Sequence, residues 1–264
     1  VGNPIRKLAG LCGYDLVRKK SGLQDEYNSG IDGELESMIQ TVRDNTMLAR
    51  PGLLSLYHQV LFCEQRGLEG DFVECGVWKG GAVGLMAQVN LKHGKTRRNL
   101  HLFDSYEEIC EPDEGVDGDR AINEAKAWSK SGGTKGNLTP LTGFYDHMGG
   151  PGTIENNRQL FIDKIGYPEK NIHFHKGWFQ DTLPKDAGQI DKIALLRLDA
   201  DWFASTKICL DYLFDKVVKG GFVIFDDYGT YEGCQKAVDE FLASNDKPLF
   251  LNYVTQDIRY MVVT

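Results

Sequence analysis

Leu195-Leu196-Arg197-Leu198-Asp199-Ala200-Asp201-Trp202 and Phe222-Val223-Ile224-Phe225-Asp226-Asp227-Tyr228 are two apolar runs that each stop abruptly on carboxylates. A short apolar run bounded by polar residues reads as a buried strand. In an open α/β sheet, neighbouring parallel strands release their loops at one carboxyl edge. The two runs therefore predict that Asp199, Asp226 and Asp227 meet there. Clustered carboxylates repel one another unless something positive sits among them, and the economical partner is a hard divalent cation held by oxygens, Mg2+. On this reading Asp199 is a metal ligand and general base, and Asp226 and Asp227 are metal ligands. Asp201, two positions further into its loop, has a weaker claim. Each acid also has an ordinary explanation: Asp201 or Ser205 can cap the helix that follows, and Asp227 can form a turn before Tyr228-Gly229.

Working outward, the rest of the chain alternates strands and helices. The N-terminal part reads as a turn at Gly30-Ile31-Asp32-Gly33, a helix over Glu34–Arg43, and a helix over Gly52–Arg66 opened by Pro51 and ended by Gly67. Strands follow at Asp71–Cys75, Leu100–Phe103 (ending on Asp104), Asn171–His175, Asp191–Leu198 and Phe222–Phe225. Helices are expected at Gly81–Leu91, Ile154–Ile165, Ser205–Val218 and Gly233–Ala243, and a strand pair at Leu249–Val254 and Arg259–Val263. This predicts an α/β fold: a mostly parallel, doubly wound sheet with an antiparallel strand near its edge. The domain division expected is a helical cap over residues 1–67 and the main domain over 68–264. Residues 105–150 are polar and glycine-rich, with a helical stretch around Arg120–Ser129, and read as a lid or acceptor loop.

The composition bounds the function. A net charge of −8 argues against a general nucleic-acid binder. The six cysteines, Cys12 among them, form no C-x-x-C pair; several sit in apolar runs and read as reduced, buried residues. No apolar stretch approaches the ~20 residues needed to span a bilayer. A cytoplasmic protein that binds neither membrane nor nucleic acid is expected.

The first strand opens onto Glu74-Cys75-Gly76-Val77-Trp78-Lys79-Gly80-Gly81. Glycines at a strand-to-helix turn let backbone approach a ligand, but the spacing is not that of a dinucleotide fingerprint. An acid at the strand end, Glu74, discourages a pyrophosphate and suits a ligand with a cationic end. Asp104, at the end of the second strand, is placed to accept from both hydroxyls of a ribose. Together they favour a nucleoside without phosphates, with S-adenosylmethionine as the candidate. After the third strand, Gly177 permits close approach, and Trp178 or Phe179 offers a flat surface for an adenine, unless these aromatics only pack the core. His173 and His175 share a face of their strand and read as packed or hydrogen-bonded residues. His147 lies in the long loop without an assigned role.

Gly70–Gly81, Leu102–Tyr106, Gly177–Pro184, Leu196–Asp201 and Gly220–Tyr228 together, in this order, resemble the macrocin O-methyltransferase (TylF/MycF-type) family, which methylates sugar hydroxyls of natural products. The resemblance runs from about residue 45 onward. It implies a class I methyltransferase (Rossmann-like) fold, S-adenosylmethionine as donor and Mg2+-dependent transfer to a hydroxyl of a small-molecule acceptor, a glycoside. It puts the metal on Asp199, Asp226 and Asp227. It puts the cofactor at Glu74, Gly76 and Trp78, at Asp104 and Ser105, near Gly177, Trp178 and Phe179, and under Thr46 and Met47. It also implies a homo-oligomer, a dimer or higher, formed through the N-terminal helices. Residues 107–150 depart most from the family pattern. A catechol would satisfy the same metal geometry. Asp199-Ala200-Asp201 also reads as the D-x-D of a metal-dependent glycosyltransferase, and a non-catalytic nucleoside-binding module is a third reading.

Overall fold

The computed structural model describes residues 33–245 and 249–264. The expected turn at Gly30-Ile31-Asp32 and Cys12 lie outside the described residues. Residues 38–264 form one compact unit. Helix α1 spans Gly33–Val42 and α2 Arg50–Arg66, the latter with proline in its first turn and a left-handed Gly67 closing it. The strand–helix alternation then runs β1 Asp71–Cys75, α3 Gly81–His93, β2 Leu100–Asp104, α4 Gly118–Trp128, α5 Ile154–Arg158, β3 Ile172–Lys176, α6 Phe179–Asp186, β4 Ile193–Leu198, α7 Phe203–Leu213, β5 Val217–Phe225 and α8 Glu232–Ser244. β6 (Asn252–Tyr253) and β7 (Arg259–Val262) close the chain. Among the described residues no helix is long and apolar enough to cross a membrane.

The strands form one sheet in the order β3-β2-β1-β4-β5-β7-β6. β3 through β5 are parallel, and β7 lies antiparallel between β5 and β6. The edge hairpin is thus as expected in kind, though its strands are shorter. The chain runs outward from β1 to β3, then returns to β4 on the other side of β1. That reversal makes the crevice between β1 and β4 the topological switch point, where ligands bind in open α/β sheets. The central strands are buried throughout: β4 has no exposed residue. Leu196, Leu198, Val223 and Phe225 join a core that continues into α6, α7 and α8.

Three element assignments change. The helix expected at Ser205–Val218 is α7, Phe203–Leu213; after a single turn at Phe214–Lys216 the chain is already extended as β5. Neither Asp201 nor Ser205 caps it. The Phe203 amide donates instead to Asp117 Oδ1, at 2.7 Å, from the distant 105–150 excursion. The stretch after the third strand, to which the sequence assigns no element, contains α6, with Pro184 inside it. Leu183 is fully buried there, so packing outweighs the missing proline donor. The Ile154–Ile165 helix is regular only to Arg158 and widens to a π-helical turn over Gln159–Lys164. The long loop carries α4, close to the expected stretch, and two isolated bridges, Cys110 with Pro140 and Asp113 with Lys135.

Candidate active site

Backbone hydrogen bonds align the strand ends step by step. Gly177 N donates to Asp104 O (2.9 Å), Gly76 N to Phe103 O (2.9 Å), Asp199 N to Cys75 O (2.8 Å) and Asp226 N to Leu198 O (2.9 Å). Leu198 is paired with Phe225, so the next residues, Asp199 and Asp226, emerge level. Gly76 has a φ of 86°, and a Cβ there would collide with the Asp199 carbonyl. Only glycine lets the β1 and β4 loops approach this closely. Among the described residues, three non-glycine residues also have positive φ: Trp78 (47°) after β1, Tyr106 (52°) after β2 and Asp201 (55°) after β4. Such strain clusters where a site is built.

Asp199, Asp226 and Asp227 converge: one carboxylate oxygen from each lies within 4.8 Å of the others, the geometry of a cation cage. A cationic side chain is also present, which the sequence reading did not foresee. Arg197 pairs with Glu74 across the β1–β4 ladder. From the same face it contacts Glu74, Asp199 Oδ2 (2.9 Å) and Asp226 Oδ1 (2.7 Å), the last as an ion pair without hydrogen-bond alignment. The signal was a charge in an otherwise apolar central strand, two residues before Asp199 and so on the same face.

One guanidinium does not balance the acids around it. Burial pushes the Glu74 carboxyl up to about 8 and that of Asp226 up to about 6, against the pull of Arg197. Asp201 and Asp227 are raised well above the usual carboxylate range by burial and by neighbouring carboxylates. A divalent cation would relieve that repulsion, and the all-oxygen donor set fits Mg2+. Asp201 donates its backbone N–H to Asp227 Oδ2 (3.3 Å). Among the described residues no cationic side chain pairs with its carboxylate.

Two cavities meet at this edge. The smaller, about 560 Å³, is bordered by Gly76, Trp78, Asp104 and Ser105 on one side and by Gly177, Trp178 and Phe179 on the other. The larger, about 1130 Å³, is bordered by Thr46, Met47, Glu74 and by Asp199, Asp226 and Asp227. Trp78, Asp104, Tyr145, Asp199 and Asp201 border both. Every site residue expected from the sequence therefore lines one cavity or the other. Asp104 organises the turn: Oδ2 accepts Val77 N (2.7 Å) and Trp78 N (2.9 Å), and Oδ1 accepts Tyr106 N (2.6 Å). Burial raises its carboxyl nonetheless. Glu74 Oε2 is buried without a hydrogen-bond partner, an orphan acceptor that suits a donor arriving with a ligand.

The sequence reading also left Tyr145, Glu124 and Tyr231 unassigned. Tyr145 stands between the cavities, held because Glu108 accepts its N–H (3.1 Å) and that of Gly143 (2.9 Å). Tyr231 donates its hydroxyl to Glu124 at 2.6 Å. Both lie in or against the irregular excursion, where no periodicity marks them. Lys79 ties that segment down by donating to the Met148 (2.9 Å) and Gly149 (3.2 Å) carbonyls. His173 and His175 stay apart from this site. His175 is hydrogen-bonded between His101 and Asp186, 3.1 Å from each, and His173 contacts Asn99 at 3.2 Å.

Comparison with known proteins agrees with this architecture. The profile of the family described as Macrocin-O-methyltransferase (TylF) matches residues 37–131 and 154–259, leaving out 132–153. An 8-demethyl-8-(2,3-dimethoxy-alpha-L-rhamnosyl)-tetracenomycin-C 4'-O-methyltransferase from Streptomyces olivaceus is 30% identical over 197 residues, 75% of this chain and 67% of that protein. A demethyldecarbamoylnovobiocin O-methyltransferase from Streptomyces niveus is 34% identical over 180 residues, 67% of this chain and 60% of that protein. The solved structure of the O-methyltransferase NovP superimposes with a TM-score of 0.66 at 32% identity, covering 83% of this chain and 82% of its own. The glycosyltransferase and non-catalytic readings give way to these matches. With sequence, fold and structural relatives in agreement, the chain belongs to the macrocin-O-methyltransferase (TylF) family and is an S-adenosylmethionine-dependent O-methyltransferase.

Proposed function

We propose that this enzyme methylates a hydroxyl of a sugar on a small-molecule glycoside in a Mg2+-dependent reaction. The observation that carries this is the convergence of Asp199, Asp226 and Asp227 within 4.8 Å, on a wall where Asp199 borders both cavities. The Streptomyces olivaceus relative, whose name specifies a 4'-O-methyl transfer on a rhamnosylated compound, supports a sugar acceptor.

In this reading the three aspartates hold the cation, which when bound supplies Lewis-acid polarisation of the acceptor oxygen. S-adenosylmethionine, when bound, would supply the activated methyl and leave as S-adenosylhomocysteine. The chain's own task is alignment and proton removal. Glu74 takes the cationic end of the cofactor, Asp104 and Ser105 its ribose, and Trp178 and Phe179 its adenine. Gly76, Trp78 and Gly177 shape the cradle, and Thr46 and Met47 close over it. Asp199 accepts the hydroxyl proton on the oxygen that Arg197 leaves free. A second reading gives that proton to Asp201, favoured because among the described residues its carboxylate has no cationic partner and it borders both cavities. Assembly into a dimer or larger homo-oligomer through residues 1–67 completes the proposal.

The test is isotope transfer from methyl-labelled S-adenosylmethionine to a panel of glycosides and catechols, with Mg2+ and with chelator. Labelled glycoside formed only with the cation supports the reading. Label on catechols alone, or full turnover in chelator, overturns it. Light scattering in solution tests the oligomer, and a monomer removes that part.

A further inference from the structure

The larger cavity has a second wall that the transfer chemistry does not use. Trp128 is the last residue of α4 and is 41% exposed. Its ring packs edge-on to Phe144, centroids 5.4 Å apart, and tilts against His147 at 4.7 Å. All three border the cavity that holds the metal-site acids. Phe144 and His147 fall within 132–153, the stretch outside the family match. Trp128 lies just before that gap, inside the matched stretch 37–131, so two of the wall's three residues belong to the part of the chain least constrained by the shared reaction.

The charges in the same cavity narrow what the wall receives. The guanidiniums that border it are Arg197 and Arg120. Arg197 is engaged by Glu74, Asp199 and Asp226. Arg120 Nε donates to Glu124 at 2.9 Å, and its guanidinium lies over the Tyr231 ring. The nearby Lys79 ammonium is bonded to two backbone carbonyls. A diphosphate entering here would meet carboxylates and cations that already have partners, a repulsive contrast that acts as selection. An apolar ring would meet the exposed rings of Trp128 and His147, backed by the buried Phe144, and burial there is favourable.

We propose that Trp128, with Phe144 and His147, is the specificity-determining wall for the non-reacting part of the acceptor, and that this part is an uncharged apolar or aromatic aglycone rather than a nucleoside diphosphate. The inference rests on the sugar O-methyl transfer reading. Trp128 acts on acceptor binding, and the methyl, proton and metal positions are held by other residues.

The test is calorimetric binding to the full chain saturated with S-adenosylhomocysteine and Mg2+. The probes share one sugar: 4-nitrophenyl α-L-rhamnoside, methyl α-L-rhamnoside and thymidine diphosphate-L-rhamnose. The aryl glycoside is expected to bind at least about tenfold tighter than either of the others, a factor equivalent to about 1.4 kcal/mol. Trp128→Ala should abolish that preference while S-adenosylhomocysteine affinity stays unchanged, and Trp128→Phe should restore part of it. His147→Ala, on the excursion rather than in α4, should lower it independently of any effect of Trp128→Ala on folding. Tightest binding of the nucleotide sugar, an unchanged preference in both alanine variants, or no binding of either glycoside to the cofactor-loaded protein overturns the proposal and leaves the methyltransferase reading standing. Failure of S-adenosylhomocysteine itself to bind overturns both.

Discussion

Glu74 and Arg197 face one another across the β1–β4 pairing as a buried ion pair, their side chains 1% and 4% exposed. The pair sits at the switch point of the sheet, and the same guanidinium reaches Asp199 and Asp226, two of the three converging aspartates. Its role is structural as well as electrostatic. Removing one partner of a buried pair leaves the other charge without compensation, which destabilises by about 3–5 kcal/mol. Arg197→Met is therefore expected to lower unfolding stability by that order in denaturant melts. Arg197→Lys should recover only part, because an ammonium cannot present the planar fork that serves three carboxylates. A methionine variant as stable as the parent would show that the pair contributes nothing net.

Substitutions at Asp199 and Asp201 test the proposed metal ligation and the proposed proton removal separately. Asp199→Asn should weaken Mg2+ binding by at least about tenfold and lose most turnover while still binding S-adenosylhomocysteine. If Asp199 is also the base, Asp201→Asn leaves kcat nearly intact. If Asp201 is the base, its asparagine variant keeps Mg2+ affinity and loses about 10²–10⁴ in kcat. Calorimetry of the metal and single-turnover rates read the two effects apart. Wild-type turnover in Asp199→Asn would remove that residue from the site.

Asp117 caps α7 from the long excursion, with Oδ1 on Phe203 N and Oδ2 on Asp113 N, both at 2.7 Å. Losing a capping acceptor typically costs about 0.5–2 kcal/mol. Asp117→Ala is expected to fall in that range by thermal or urea unfolding. Asp117→Asn, which keeps one acceptor oxygen, should lie between it and the parent. Equal stability of all three would mean the excursion and α7 are energetically independent.

His173 and His175 are held below the ordinary imidazole value by burial, for His175 against the pull of Asp186. The folded state thus resists protonation that the unfolded chain accepts near 6.5. Their contribution to stability is present above about pH 6.5 and is lost as the pH falls from there through the folded-state values. Urea melts between pH 7.5 and 5.5 should show a decline in this window that is shallower in His175→Gln. A steeper decline in the variant would reverse the sign argued here. The raised Glu74 and Asp226 carboxyls act in the opposite sense, so the comparison between variant and parent is the measurement that counts.

Strands were the most legible elements. Asp71–Cys75 reads as a short strand because Phe72, Val73 and Cys75 are apolar and a glycine turn follows, and β1 has those bounds. Parallel strands buried on both faces leave little ambiguity in such a run. Helix ends were less legible where the deciding contact is distant. α7 begins at Phe203 because Asp117 supplies its cap, and α6 survives Pro184 because Leu183 is buried. The acids Asp199, Asp226 and Asp227 were readable because each ends an apolar run. Arg197 was readable only as an anomaly, since its partners come from three strands.

The sequence by itself determined the alternation of strands and helices, the carboxyl-edge placement of three aspartates, and the glycine turn after β1. These follow from local periodicity and from residue types that a strand end or a tight turn demands. Tertiary structure alone decided that Arg197 binds Glu74, Asp199 and Asp226 together, that residues 105–150 fold back to set Tyr145 between two cavities, and that Trp128 meets His147. Those relations depend on strand order, register and the packing of an aperiodic segment, which short-range patterns in a chain do not encode.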